Sequence, residues 1–260
     1  MLSQATHHRF PTTLIVTLCL LAWLLLWLWG RSPYARFLSH HSLEAVRGGG
    51  LLMLVFVAGW LLMTVAMMLP TVLPLVMLFS TITRRRSDRR WLAGLLLAGY
   101  TGVWTLVGVV VYGGDWIIHA AAEEIHWLHH NAWVLAGVTV VLAGVYQFTP
   151  LKYHCLDKCR SPLSFVSEHW RGRRERLHAL WLGIHHGLYC IGCCWSLMLL
   201  MFAVGVGNLG WMLALGTVMA VEKNASWGRR ISAPLGVILV GWGVFILLAP
   251  LSGPAQPHVH

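Results

Sequence analysis

The chain is poor in charge, and in acid above all. Only 11% of its 260 residues are charged, with 9 acidic residues against 19 basic ones. A soluble domain usually carries about a quarter of its residues as charges, so the chain does not read as a soluble enzyme. No Ser/Gly-rich linker or low-complexity tract divides it, which leaves one domain over residues 1–260. A P-loop is also missing, which argues against an ATP-driven pump. The cysteines include no CxxCH sequence, so covalently attached c-type haem is excluded.

Apolar residues fill the space left by charge. Hydrophobic types make up 57% of the chain, and the mean hydropathy is +0.67. Apolar segments fall near 12–29, 51–69, 91–112, 132–149, 187–206, 209–222 and 232–249. Most reach the ~20 residues that cross a hydrocarbon core. The expectation is an all-α, polytopic transmembrane bundle of about seven spans, six at the least. The first segment is too long for a signal-peptide core and lacks a small-residue cleavage site, so it reads as an anchor. Pro70 and Pro74 predict a kink or break toward the end of the second.

Basic residues set an orientation. Arg84, Arg85, Arg86, Arg89 and Arg90 follow the second segment; Lys152, Lys158, Arg160, Arg171, Arg173, Arg174 and Arg176 follow the fourth; Lys223, Arg229 and Arg230 follow the sixth. With Arg9 these lie on one side, and only Arg31, Arg36 and Arg47 on the other. The positive-inside rule then puts the N-terminus in the cytoplasm and the C-terminus outside. The net charge of +10 thus reads as topology and attraction to anionic membrane lipids, not as a nucleic-acid footprint.

Sulfur is concentrated in three places. The stretch GLYCIGCCWSLMLLM places Cys190, Cys193 and Cys194 close to the expected start of the fifth span. Helical spacing aligns them with His186 below and with Met198 and Met201 above. In TPLKYHCLDKCRSPLSF, Cys155 and Cys159 share one helical face beside His154. A reducing cytoplasm favours metal-binding or catalytic thiols there over structural disulfides. In WLLMTVAMMLP, Met63 and Met67 share a face with Met53, with Met68 beside them, and Asn208, Met212, Met219 and Glu222 line a face of the sixth segment. The plain alternative for single cysteines and methionines, Cys19 among them, is packing. For Glu222 it is an ion pair with Lys223 or a loop arginine.

These blocks, together with GNLGWM and the later EK, resemble a bacterial family of unknown function described as predicted metal-binding integral membrane proteins. The likeness runs over about residues 50–248. It implies a polytopic membrane fold in the bacterial inner membrane, a cysteine-centred metal site and a role with copper, without a known reaction.

Thiolate and thioether are soft donors that together select Cu(I). A closed site of Cys155, Cys159 and two cysteines of the fifth span would suit Zn(II) instead. The expected ligand set is Cys155, Cys159, Cys190, Cys193, Cys194, Met63, Met67, His186, Met198 and Glu222. The expected function is binding and handling or delivery of Cu(I), chaperone-like or by transport, with a copper donor or acceptor protein as partner; whether it turns over a substrate is left open. The rivals are a membrane thiol-disulfide oxidoreductase, with Cys193 and Cys194 as attacking and resolving thiols, and an assembly subunit packing through its 26 glycines. Separately, His119, Glu123, His126 and His130 would form a stripe facing outside, of a composition that suits Cu(II) or Zn(II). His40, His41 and Glu44 stay unassigned.

Overall fold

In the computed structural model, the described residues are 2–31, 49–124, 131–169, 175–204 and 209–252. The His119, Glu123, His126 and His130 stripe lies outside the described side chains, as do His40, His41, Glu44 and Asn208. Among the described residues the chain is helical throughout, without strands. The elements are α1 (Leu2–Arg31), α2 (Gly49–Ile82), α3 (Arg89–Glu124), α4 (Ala132–Tyr146), α5 (Pro150–Arg160), α6 (Pro162–His169), α7 (Glu175–Val204), α8 (Leu209–Asn224), a 3-10 turn (Gly228–Ile231) and α9 (Ser232–Ser252). This is the expected all-α bundle.

Among the described residues five helices are long and apolar enough to cross a membrane, or six if the bent pair formed by α4 and α5 counts as one broken span, which is the lower end of the expected six to seven. The sixth expected segment is α8, with 16 residues. At about 1.5 Å per residue this is some 24 Å, short of a ~30 Å hydrocarbon core. Its last turn also buries two charged residues, Glu222 and Lys223.

Helix α2 remains one element through Pro70 and Pro74, so of the expected kink or break the prolines do not produce a break. The reason is local. Pro70 cannot donate to the carbonyl four residues back, at Ala66, and Trp23 of α1 donates its indole N–H to that carbonyl at 3.2 Å. The Cys19 thiol of α1 adds a further contact, to the Val65 carbonyl at 3.6 Å. A neighbouring helix thus satisfies backbone that the proline left open.

α7 packs along α3, α9 along α4, and α1 along α2. The α3–α7 contact is close because glycines stand at the crossing. A Cβ at Gly183 would strike the Leu96 carbonyl, and one at Gly99 the Leu180 carbonyl. That approach buries Tyr100 against α7, beside Cys190. The outward faces are apolar, with Leu20, Leu106, Val110, Ile238 and Phe245 all exposed, whereas Lys152, His186, Glu222 and Lys223 are buried. Such an inside-out distribution is what an apolar surrounding favours. The basic turn between α2 and α3 stays polar, and hydrogen bonds from Arg86 hold the Asp88 carboxyl below its ordinary range.

Candidate metal centre

Helix α7 starts twelve residues before the expected segment, at Glu175 rather than 187. The cysteines therefore lie in its middle third, deeper along the helix than the sequence suggested. The surplus at the start comes from Glu175 to His186, a stretch whose polar residues mask its helical continuity. All three thiols of α7 are buried, and every cysteine in the chain is unbridged.

The second thiol group comes from α5. The chain leaves α4, bends by 63° and restarts as a helix at Pro150. Proline suits a first helical position because its missing N–H has no partner there anyway, and Thr149 caps the turn by accepting from the Lys152 amide at 3.3 Å. α5 then lies against α7 so closely that a Cβ at Gly192 would collide with the Cys155 sulfur. Glycine is the residue that allows this approach. Cys155 is buried and Cys159 half-buried.

Two thiol pairs result. In the outer pair the Cys159 and Cys193 sulfurs are 3.9 Å apart. In the inner pair the Cys190 and Cys194 sulfurs are 4.0 Å apart, and the Met68 thioether of α2 lies 3.7 Å from Cys194. Metal–thiolate bonds of about 2.3 Å let two sulfurs up to about 4.6 Å apart share an ion, so both separations are within bridging reach. Cys193 and Cys194 also donate to the Cys190 carbonyl, at 3.2 and 2.8 Å. Tyr100 adds a hydroxyl 3.1 Å from the Cys190 sulfur. Among the described residues no three His, Cys, Asp or Glu side chains gather closely enough to hold an ion without help. The closed four-cysteine set that zinc would need is therefore not assembled, and nothing supports the zinc alternative. The third soft donor near the inner pair is a methionine.

The remaining expected site residues are placed as follows. Met63, Met67, Met198 and Met201 are buried in the same core as the cysteines. Met67 faces α8, where its methyl would meet a Cβ built on Gly216, so Met68 is the methionine of α2 whose sulfur adjoins a thiol. His186 is buried between the rings of Tyr100 and Phe165, at centroid distances of 5.9 and 5.5 Å, and its Nδ1 has no hydrogen-bond partner among the described residues.

Glu222 points away from the sulfurs. Its carboxylate accepts from Lys152 at 2.7 Å and from the Ser232 hydroxyl at 2.7 Å. Lys152 donates in addition to the Gln147 amide oxygen. The partner is thus Lys152, not Lys223 or a loop arginine. Arg160 reinforces the attachment by donating to the carbonyls of Glu222, Ala225 and Ser226, at the C-terminus of α8, where a cation also complements the helix dipole. These contacts hold α5, and with it Cys159, in place.

Lys223 was not foreseen as a site residue. Counted with the basic residues that follow an apolar segment, it is instead buried with its Nζ 2.9 Å from Cys190 and 3.9 Å from Cys194. The signal was its place in VEKN, one residue after Glu222 and on a different helical face, at the end of an apolar run. Met68 was legible only as the second half of a methionine doublet.

The fold and site define a class: a helical bundle with apolar outer faces that gathers thiols and a thioether in its interior. Residues 57–246 match the family model PpoB2, described as copper chaperone. The match covers more than half the chain, which therefore belongs to this copper chaperone family. It falls within the region expected from the cysteine and methionine blocks, and it supports copper handling as the general role. No curated protein and no solved structure matches the chain.

Proposed function

We propose that the protein spans the bacterial inner membrane and carries Cu(I) as cargo on its sulfur cluster, passing it to a partner protein by ligand exchange. The observation that carries this reading is the continuity of soft donors from the half-buried Cys159, through Cys193, to the buried set of Cys190, Cys194 and Met68. A soft monovalent ion prefers such donors, and moving from one sulfur pair to the next replaces one bond at a time. The outer pair exchanges the ion with a donor or acceptor, and the inner set holds it. Cys155 supports the outer pair from the same helix. Met63, Met67, Met198 and Met201 continue the thioether lining of the core, and His186 closes the cluster on the side of α6.

The basic turns after α2 and before α7 favour the cytoplasmic side for those turns and for the N-terminus. A reporter joined after Arg90 or Arg176 should then read cytoplasmic, and one joined at His260 reads external only if α8 crosses as a seventh span. The binding test is a Cu(I) titration of anaerobically purified protein in competition with a chromogenic chelator. Tight binding that is lost in Cys194→Ser supports the reading; no binding by the wild type sinks it. The 3.9 Å separation of Cys159 and Cys193 also suits the thiol-disulfide alternative. Acid quenching of cells separates the two, because a stoichiometric Cys159–Cys193 disulfide in the quenched protein would favour the oxidoreductase.

A further inference from the structure

Lys223 is a buried basic side chain whose amine meets sulfur rather than carboxylate. Its Nζ has Cys190 at 2.9 Å, Cys194 at 3.9 Å and the Met68 sulfur at 3.7 Å. These are the three soft donors of the inner set. Among the described residues its remaining hydrogen-bond partner is the Thr71 hydroxyl, at 3.5 Å, which is itself engaged in donating to the Met68 carbonyl at 2.7 Å. Glu222, the adjacent residue, is held by Lys152 and Ser232 and does not reach Lys223 as a partner. A lysine with no carboxylate partner among the described residues, surrounded by sulfur in a buried site, lies where the cargo would lie.

We propose that Lys223 is a placeholder cation for the inner sulfur set, occupying the seat of Cu(I) in the empty protein and yielding it, toward Thr71, when copper enters. This rests on the copper reading above and adds a residue that governs how firmly the cargo is held. Two consequences follow from charge. The exchange balances as one Cu(I) in and the Cys190 and Cys194 thiol protons out to the medium, the two sulfurs holding the ion as thiolates while the lysine gives up its contacts with them. The measured affinity for Cu(I) is that of the sulfur set less the work of displacing the lysine, which favours a chaperone's task of release over storage.

The test uses the full chain in detergent, loaded anaerobically with Cu(I). Lys223→Leu removes the competing cation without adding a soft donor, and Lys223→Gln is the second, neutral polar variant. Both should bind Cu(I) more tightly than the wild type, by about tenfold or more, the order by which a close charge pair alters an affinity. They should also surrender it more slowly to a chelator in excess. Unchanged or weaker affinity in a folded variant would overturn the proposal and leave Lys223 as a structural residue. If both variants fail to fold, the lysine is required in place and cannot be a displaceable occupant, which also overturns it. Failure of the wild type itself to bind Cu(I) would instead sink the copper reading on which the proposal depends, so the two failures are told apart by the wild-type arm.

Discussion

Glu222 and Lys223 are neighbours on one helix, yet they end in two kinds of buried setting. The Glu222 carboxylate meets a lysine and a hydroxyl, so hard donors and acceptors are matched and the pair joins α8 to α5 and α9. The Lys223 amine meets two thiols and a thioether, partners that hydrogen-bond weakly and bind soft metal ions well. About 100° of helical rotation separates one setting from the other. Burial of charge alone therefore does not point to a metal site; the softness of the atoms around the charge is what the copper proposal rests on. The Lys152–Glu222 side fixes the helix that carries Cys159, and the Lys223 side contains the atoms proposed to exchange.

The comparison can be broken most severely at the sulfurs. Cys194→Ser should abolish tight Cu(I) binding while the helices stay folded, as measured by competition titration and circular dichroism, because a hydroxyl is a hard donor. Retained affinity would shift the site to the outer pair alone.

The next largest effect belongs to the hard side. Lys152→Met leaves the Glu222 carboxylate buried without its cation, and should lower stability by about 3–5 kcal/mol, the usual cost of breaking a buried pair by removing one partner. The double variant Lys152→Met with Glu222→Leu should recover much of that loss. Thermal unfolding in detergent reads both, and equal losses in the single and double variants would show that the pair does not act as a unit.

A smaller effect sharpens the soft side. Met68→Leu and Met67→Leu are nearly volume-conserving and should each cost less than about 1.5 kcal/mol of stability. Only Met68→Leu should weaken Cu(I) binding, since the Met68 sulfur adjoins Cys194 while Met67 packs toward Gly216. Equal affinities in the two variants would reduce Met68 to packing.

The smallest effect is expected at the rim. Lys158 pairs with Glu168 at 2.8 Å where both side chains are open to solvent. Lys158→Ala should change stability by no more than about 1 kcal/mol, as surface pairs do, and should leave Cu(I) affinity as it was. A marked loss of affinity would bring α6 into the site.

The helical class was legible because apolar runs of sufficient length recur along the chain, and the cysteine blocks were legible because their spacing puts sulfur on one helical face. Which of the runs make full-length helices was not. A run of apolar residues such as 209–222 does not reveal that its helix is too short to cross and ends in buried charge. The depth of the cysteines was hidden for a related reason, since polar residues between Glu175 and His186 belong to the same helix as the apolar stretch after them. Pairing across the bundle was the least legible of all. Helical periodicity places Met67 on a face with Met63, but which methionine meets Cys194 depends on how α2 is rotated against α7. Likewise Lys152 and Lys223 were read as residues marking the cytoplasmic side, because a sequence does not show which end-of-helix cations turn inward.

The most direct test of a copper seat built from sulfur is X-ray absorption at the copper K-edge, on wild-type protein loaded anaerobically with an equimolar amount of Cu(I). The account predicts a Cu(I) edge with sulfur as the nearest neighbours and no nitrogen, because Cys190, Cys194 and Met68 provide the ligands and Lys223 has left the seat. A first shell containing nitrogen or oxygen would contradict it.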